Sequence, residues 1–194
     1  MAGSLKRDLY AYAIGDIWYR AQCIYDTFPD MVCIPLTATG DTALHVAVSA
    51  KSTTFVQELV KHMTPEDLEI PNIDGNTAFC IAAISGIGDF FQIMIEKNKN
   101  LPVIPGHDGM LPVHLAALSG HRKIVENLSS EKLLEKMASR DIVQLFFMTI
   151  SGNMCGVATK LFEKYPANLA IARDDEEKLT ALHVLARKSS DEFC

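Results

Sequence analysis

One stretch of sequence recurs along this chain, and the recurrence constrains its fold more than any other feature. Residues 40–50 read GDTALHVAVSA, residues 75–86 read GNTAFCIAAISG, residues 109–120 read GMLPVHLAALSG, and a last copy begins KLTALH at 178–183. The positions that close successive copies lie 32 to 36 residues apart: Gly15, Ala50, Gly86, Gly120, Gly152 and Lys188. A steady period of this length indicates a tandem array in which each repeat packs on its neighbours.

Composition places the array among folded proteins and excludes several functions. Of the 194 residues, 48% are hydrophobic and 22% are charged, as in an ordinary folded chain. The formal net charge of -6 disfavours a nucleic-acid partner, because phosphate binding needs clustered Lys and Arg. The strongest apolar run, 145–150, is far too short to span a membrane. Residues 1–4 resemble a possible expression scar and are left out of the fold prediction.

Five cysteines are scattered through the chain without a C-x-x-C pair: Cys23, Cys33, Cys80, Cys155 and Cys194. An odd number of scattered cysteines is typical of reduced thiols in the cytosol. The sequence therefore predicts a cytoplasmic protein with neither a zinc site nor a disulfide framework.

The spacing of apolar residues predicts two helices in each repeat, joined by a tight turn. The first pair is predicted at 5–14 and 17–28, and Pro29 ends it because the residue before a proline avoids the α conformation. The second helices of the later repeats are predicted at 53–62, 90–96, 124–128 and 157–165.

The repeat that closes at Gly152 departs from this pattern. Its motif would fall at 142–145, where only the length and the helical period are kept. The preceding segment, 129–140, has apolar residues at helical spacing, so we expect a helical or turn-like connector there.

The recurring motif resembles the ankyrin repeat, a helix-turn-helix of about 33 residues that opens T-P-L-H-x-A. The matching segments are TALH at 42–45, TAFC at 77–80, LPVH at 111–114 and TALH at 180–183. The resemblance implies an all-α ankyrin-repeat solenoid that fills residues 5–194 as one array of about five repeats plus a partial sixth. The expected repeats are 5–38, 39–73, 74–107, 108–139, 140–175 and the partial 176–194.

Longer runs resemble plant ankyrin proteins that carry a C-terminal PGG-type membrane domain. These runs are LVKHMTPEDL at 59–68, EKNKNLP at 96–102, AALSGHR at 116–122 and TALHVLARK at 180–188. The resemblance implies a role in plant defence or stress signalling, with the repeats facing the cytosol. This chain has no PGG motif or membrane helix and stops within its sixth repeat, so we expect a fragment or a truncated member. A C-terminal region absent from this chain would place the repeats on the cytosolic face of a membrane, the plasma membrane by preference.

The periodic histidines are the most obvious candidates for chemistry. His45, His114 and His183 share one position in the repeat, where the resemblance implies a structural imidazole that bonds neighbouring backbone and Thr. Cys80 fills the same position, which supports a structural role. The other histidines are isolated: His62, His107 and His121. The acidic run 174–177 is interpreted as a solvated connector in preference to a calcium or basic-partner site. Without metal spacing, a phosphate loop or a nucleophile motif, the sequence predicts no enzyme activity, metal, cofactor or small-molecule substrate.

The resemblance also implies a concave surface, made of first helices and connector tips, that binds a protein partner. The candidate positions follow each opening glycine or precede each closing glycine: Asp41, Asn76, Met110, Val48, Ser49, Ile84, Ser85, Leu118, Ser119, Ile150 and Ser151. In four successive pairs an aliphatic residue precedes a serine, which favours a continuous apolar stripe for an apolar segment of the partner. The same pattern fits a packing habit that buries these side chains, and the sequence leaves both interpretations open.

The function favoured by these observations is a non-enzymatic protein-interaction module of a plant stress or immune signalling protein. The alternative is a cytoplasmic regulatory domain of a membrane channel or transporter, in which self-association is possible.

Overall fold

The computed structural model describes residues 2–174, 178 and 180–186, and every regular element in these ranges is a helix. The all-α fold class expected from the sequence is therefore confirmed. The chain divides into two compact units, an N-terminal unit of residues 1–112 and a C-terminal unit of residues 113–194. The expected boundaries of the individual repeats, and their union in one array, stay predictions.

The N-terminal unit consists of three helical hairpins joined by irregular connectors. Its α-helices are α1 (Ala2–Ile14), α2 (Trp18–Thr27), α3 (Ala43–Ala50), α4 (Thr53–His62), α5 (Ala78–Ile84) and α6 (Phe91–Lys97). Short 3-10 helices lie in the connectors at Pro29–Cys33, Glu66–Glu69, Gly88–Phe90, Leu101–Val103 and His107–Gly109. The helix pairs match those predicted from the apolar spacing.

The core of the N-terminal unit lies between successive hairpins. Leu9 and Ala13 of α1 are fully buried where that helix packs on α3. Trp18 of α2 stacks on Tyr25, with ring centroids 5.8 Å apart, and meets Phe55 of α4 edge-on at 5.5 Å. Burial of such large side chains stabilises a fold by about 1.5–3 kcal/mol each, so tertiary packing stabilises these short helices more than their intrinsic propensity does.

The turn inside each hairpin contains one residue in the left-handed conformation. These residues are Asp16 (φ 54), Lys51 (φ 62), Gly86 (φ 74), Gly120 (φ 77) and Asn153 (φ 55). Three of the closing residues used to measure the period, Gly15, Ala50 and Gly152, lie one position before the left-handed residue. Asp and Asn also tolerate positive φ, so they occupy the left-handed position in two of these turns where glycine does so in two others.

The C-terminal unit begins within α7 and contains a different arrangement of helices. Its elements are α7 (Pro112–Leu118), α8 (Arg122–Leu128), α9 (Glu131–Leu134), α10 (Ser139–Ser151), α11 (Cys155–Lys164), α12 (Pro166–Ala170) and α13 (Ala181–Ala186). Leu145 and Leu161 are fully buried where α10 packs on α11. The expected helical connector is confirmed, because α9 lies within residues 129–140. The remainder of the predicted sixth repeat, 187–194, and residues 175–177 of the acidic run lie outside the described residues.

The cysteines depart from the sequence prediction at one position. Cys23, Cys33 and Cys80 are free thiols, but Cys155 is disulfide-bonded. The prediction of reduced cysteines is therefore wrong for Cys155. Spacing along the sequence does not show which Cβ atoms the fold brings within the short distance that a disulfide needs.

Candidate protein-binding surface

His45 joins two successive repeats of the N-terminal unit through both of its ring nitrogens. The backbone N–H of Thr42 donates to Nδ1 at 3.3 Å, and the Thr42 hydroxyl lies 2.8 Å from the same nitrogen. Because Nδ1 accepts, the proton is on Nε2, which donates to the carbonyl oxygen of Asn76 at 3.0 Å. Burial lowers the pKa of His45 despite that bond and the Asp41 charge, so the ring is neutral.

The equivalent positions repeat this arrangement with local changes. Nε2 of the fully buried His114 donates to the carbonyl oxygen of Asp141 at 2.8 Å, and burial lowers the pKa of His114 as well. Cys80 instead receives a hydrogen bond on its sulfur from the Thr77 hydroxyl at 3.4 Å. The expected structural role is therefore confirmed for His45 and His114. Within the described part of the chain, no cluster of three or more His, Cys, Asp or Glu side chains could hold a metal ion.

Asp41, a candidate for partner binding, lies in a network between two connectors. Its carboxylate accepts hydrogen bonds from the hydroxyls of Thr37 at 3.0 Å and Thr39 at 2.6 Å, and from the side-chain amide of Asn72 at 2.9 Å. Burial opposes ionisation of Asp41, but these bonds outweigh it and lower its pKa. Asp41 therefore holds the 37–41 loop to the next connector.

Asn76 and Met110 also lie in connectors. Asn76 is buried, and its side-chain oxygen accepts from the backbone N–H of His107 at 3.0 Å. Met110 is half-buried, and its carbonyl oxygen accepts from the N–H of Gly106 at 2.8 Å. Asp41 and Asn76 thus form hydrogen bonds within the fold, which their predicted role in partner binding did not include.

The four aliphatic candidates have very different environments. Val48 is fully buried and Ile150 is 6% exposed, whereas Ile84 is 37% exposed and Leu118 is 61% exposed. The serines that follow them are all exposed: Ser49, Ser85, Ser119 and Ser151. The aliphatic residues therefore do not form one continuous exposed stripe. The packing interpretation holds for Val48 and Ile150, and the surface interpretation remains for Ile84 and Leu118.

Leu118 borders a cleft of about 440 Å³ in the C-terminal unit. The lining combines apolar side chains with a few polar ones: Ala117, Leu118, Val143, Gln144, Phe147, Met148, Ser151, Gly152 and Asp174. Its walls are the last turn of α7 and one face of α10. A volume of this size, with a lining that is partly apolar and partly polar, is within the range of ligand-binding pockets.

The cleft lies where the repeat pattern breaks down. Helix α10 has 13 residues, whereas α3 has 8 and α5 and α7 have 7 each. Its first turn is held by Asp141, whose carboxylate accepts from the backbone N–H of Ala138 at 3.3 Å and whose carbonyl accepts from His114. Val143, Phe147 and Ser151 are each four residues apart and lie on the face that lines the cleft. Sequence reasoning missed these α10 residues, although the lost motif at 142–145 was a signal that this repeat is unusual.

Comparison with known proteins assigns the chain to a class. A family model that describes ankyrin repeats in three copies matches residues 22–102 and 44–141. The matches cover more than half of the chain, and the protein belongs to the ankyrin repeat family, whose repeats are non-catalytic modules for protein–protein interaction.

Two curated proteins are similar to parts of this chain. Transient receptor potential cation channel subfamily A member 1 of Homo sapiens is 31% identical over 83 residues, which cover 43% of this chain and 7% of the channel. The B-cell lymphoma 3 protein homolog of Mus musculus is 27% identical over 116 residues, which cover 54% of this chain and 26% of that protein. The chain thus spans only a small part of either relative. None of the helices in the described ranges is both long enough and apolar enough to cross a bilayer.

Proposed function

We propose that this chain binds a partner protein through the cleft of its C-terminal unit, which takes up an apolar segment of that partner. The observation that carries the proposal is the position of Leu118. This side chain is 61% exposed at the edge of a cleft of about 440 Å³. Transfer of a large apolar side chain out of water is favourable, and a concave, partly apolar surface of this kind is a common binding site.

The lining of the cleft suits a protein segment. Val143 and Met148 are half-buried and Phe147 is buried, so the floor is apolar and already packed before a partner arrives. Methionine adapts its shape to different neighbours, and Gln144 can donate and accept hydrogen bonds at the edge of the apolar floor. Burying Leu118 and its neighbours would supply the apolar centre of an interface, and the exposed Ser119 and Ser151 would lie on its rim.

The test compares two exposed aliphatic residues of the same unit. Leu118→Ser alters the cleft, whereas Ile171→Ser alters a side chain that is 81% exposed and does not line it. Partners captured by the wild type and by each variant would be quantified by mass spectrometry, and thermal melting would establish that all three proteins are folded. We expect Ile171→Ser to retain the partners and Leu118→Ser to lose them. Equal capture by folded Leu118→Ser would contradict the proposal.

The biological setting that we propose is plant stress or immune signalling in the cytoplasm. Its support is the resemblance of the runs at 59–68, 96–102, 116–122 and 180–188 to plant ankyrin proteins with a PGG-type membrane domain. Proximity labelling in plant cells with the intact gene product is the direct measurement. Labelled proteins outside signalling and defence pathways would contradict this setting.

A second candidate function is a cytoplasmic regulatory or oligomerising domain of a membrane channel or transporter. It is supported by the 31% identity to the human cation channel over 83 residues. A full-length transcript that encodes membrane helices after the repeats, and sedimentation of this chain as an oligomer, would favour this candidate. A monomer at all concentrations would exclude the oligomerising form.

A further inference from the structure

We propose that Thr64 is a phosphorylation site for a proline-directed protein kinase, and that its phosphate weakens the contact between the first two connectors of the N-terminal unit. Thr64 lies in the connector between α4 and the 3-10 helix Glu66–Glu69. The modification would make the stability of this unit responsive to a kinase. The inference does not depend on the proposed function, since the cleft belongs to the C-terminal unit.

The residues next to Thr64 suit a kinase of this class. Among all the serines and threonines of the chain, Thr64 alone is followed by a proline, Pro65. Proline-directed kinases select their substrates by this following residue, which has no backbone N–H. Met63 has an extended backbone, and the residue before a proline favours the same conformation. The side chain of Thr64 is exposed, so its hydroxyl can enter an active site that binds extended segments.

The reaction transfers the γ-phosphoryl group of ATP to the Oγ1 atom of Thr64. The bond between the γ-phosphorus and the bridging oxygen breaks to release ADP, the bond to Oγ1 forms, and the catalytic aspartate of the kinase takes the hydroxyl proton. In the described part of the chain this hydroxyl accepts one hydrogen bond, from the backbone N–H of Asp67 at 3.2 Å. The kinase therefore has only that bond to displace.

Asp67 is the residue that the phosphate would disturb. Its Oδ2 accepts from the backbone N–H of Thr64 at 2.7 Å, and its Oδ1 accepts from the thiol of Cys33 at 3.0 Å. Cys33 ends the 3-10 helix of the preceding connector, so the Asp67 carboxylate joins the two connectors. Burial opposes ionisation of Asp67, but the hydrogen bonds from Cys33 and Thr64 outweigh it and lower its pKa.

The charges around the site make a phosphate unfavourable in this fold. A phosphate carries a charge of about −1.5 to −2 at neutral pH, and here it would lie within one turn of Glu66 and Asp67. Lys97 is a cation whose charge acts on Asp67, whereas Lys61 already forms an ion pair with Glu58, with 2.6 Å between Nζ and Oε1. One ammonium does not neutralise a phosphate and two carboxylates. We therefore expect the Asp67 carboxylate to leave both of its hydrogen-bond donors.

Phosphorylation of the intact chain tests the site. The probes are ATP with a recombinant mitogen-activated protein kinase and, in parallel, with a cyclin-dependent kinase, both proline-directed. Mass spectrometry maps the phosphate, and thermal melting establishes that each variant is folded. We expect phosphate on Thr64 in the wild type and in the control Thr54→Ala, which alters an exposed threonine without a following proline. Thr64→Ala should lose this phosphate, and Pro65→Ala should react about tenfold more slowly or worse. No phosphate on Thr64 with either kinase, or an unchanged rate in Pro65→Ala, would overturn the inference.

Urea unfolding followed by Trp18 fluorescence tests the consequence. The ring centroids of Trp18 and His62 are 5.1 Å apart, so Trp18 reports on the region that contains Thr64. Phosphorylation should raise the equilibrium constant of unfolding about five- to thirtyfold in the wild type. In Asp67→Asn, where the phosphate no longer meets this carboxylate, the increase should be less than about threefold. An equal increase in both proteins, or no increase in the wild type, would overturn the proposed weakening of the contact.

Discussion

Replacing His45 by cysteine tests how the repeats of the N-terminal unit are joined. The neighbouring repeat already contains Cys80 at this position, so the variant places a side chain that the fold accepts there. The substitution removes two hydrogen bonds, the 3.0 Å bond from His45 Nε2 to the carbonyl oxygen of Asn76 and the 3.3 Å bond from the backbone N–H of Thr42 to Nδ1. The Asn76 carbonyl keeps one donor, the N–H of Asn72 at 2.9 Å. The lost bonds and the smaller volume together predict a loss of about 1–3 kcal/mol in the free energy of unfolding at neutral pH.

The same variant should change the response to acid. Burial lowers the pKa of His45 in the folded state below its ordinary value of 6.5. Below pH 6.5 the unfolded chain therefore takes up a proton more readily than the folded chain does. The stability contributed by the neutral ring is complete above pH 6.5 and is lost as the pH falls from 6.5 through the folded pKa. His45→Cys removes this source of acid sensitivity, because a cysteine does not gain a charge in that range.

Urea unfolding followed by Trp18 fluorescence is a suitable assay. Trp18 is the single tryptophan and packs on Phe55 in the N-terminal unit, so it reports the unfolding of the region that contains His45. The free energy of unfolding would be measured at pH 7.5 and pH 5 for both proteins, and the difference between the two pH values removes the pH-independent loss. At pH 5 the carboxylates with lowered pKa, Asp41 and Asp67, remain ionised. An equal loss on acidification in both proteins would refute the assignment to His45.

The turns and the candidate surface support three further predictions. Lys51→Gly should raise the free energy of unfolding by about 0.5–1 kcal/mol in urea titrations, because the left-handed conformation costs an L-residue about 1–2 kcal/mol. The greater conformational entropy of glycine in the unfolded chain offsets part of this benefit. A decrease would show that the turn is not strained. Asp16→Ala should lower the free energy of unfolding by about 1–2 kcal/mol, because the carboxylate accepts hydrogen bonds from the first-turn N–H groups of α4 at 3.2 and 2.6 Å. Asp16→Asn should retain most of that stability, and equal losses in both variants would argue against capping. Val48→Asp should lower the free energy of unfolding by about 3–5 kcal/mol, because it places a charge at a fully buried position. Leu118→Asp should change it by less than about 0.5 kcal/mol. Similar melting temperatures for these two variants would contradict the burial assignment.

The positions of the helices were predictable to a large extent from the sequence. Helix α4 has the predicted bounds, 53–62, and the apolar residues that give it its helical period are buried: Phe55, Val56, Leu59 and Val60. Such agreement is expected where the apolar period of a helix and its turn residues are both local features. The departure from the repeat pattern at 129–145 was also predictable from the sequence. The structure that replaces the motif there, the long helix α10, was not.

The candidate surface was much less predictable. Val48 and Leu118 occupy the same position in their repeats, yet one is fully buried and the other is 61% exposed. Asp41 and Asn76 were predicted to bind a partner, and in the fold both form hydrogen bonds between connectors. The α10 residues that line the cleft were not predicted, because their repeat lacks the motif by which the other candidate positions were located.

The sequence by itself determined the family, the helical repeat, the approximate period and the structural role of the recurring histidine, because each is encoded within a stretch of a few dozen residues. Only the tertiary structure decided which aliphatic side chains reach the surface, where a cleft opens and that Cys155 is not a free thiol. The physical reason is that exposure and pairing depend on elements that are distant in sequence. A local pattern specifies which face of a helix is apolar, and the packing of its neighbours determines how much of that face is covered.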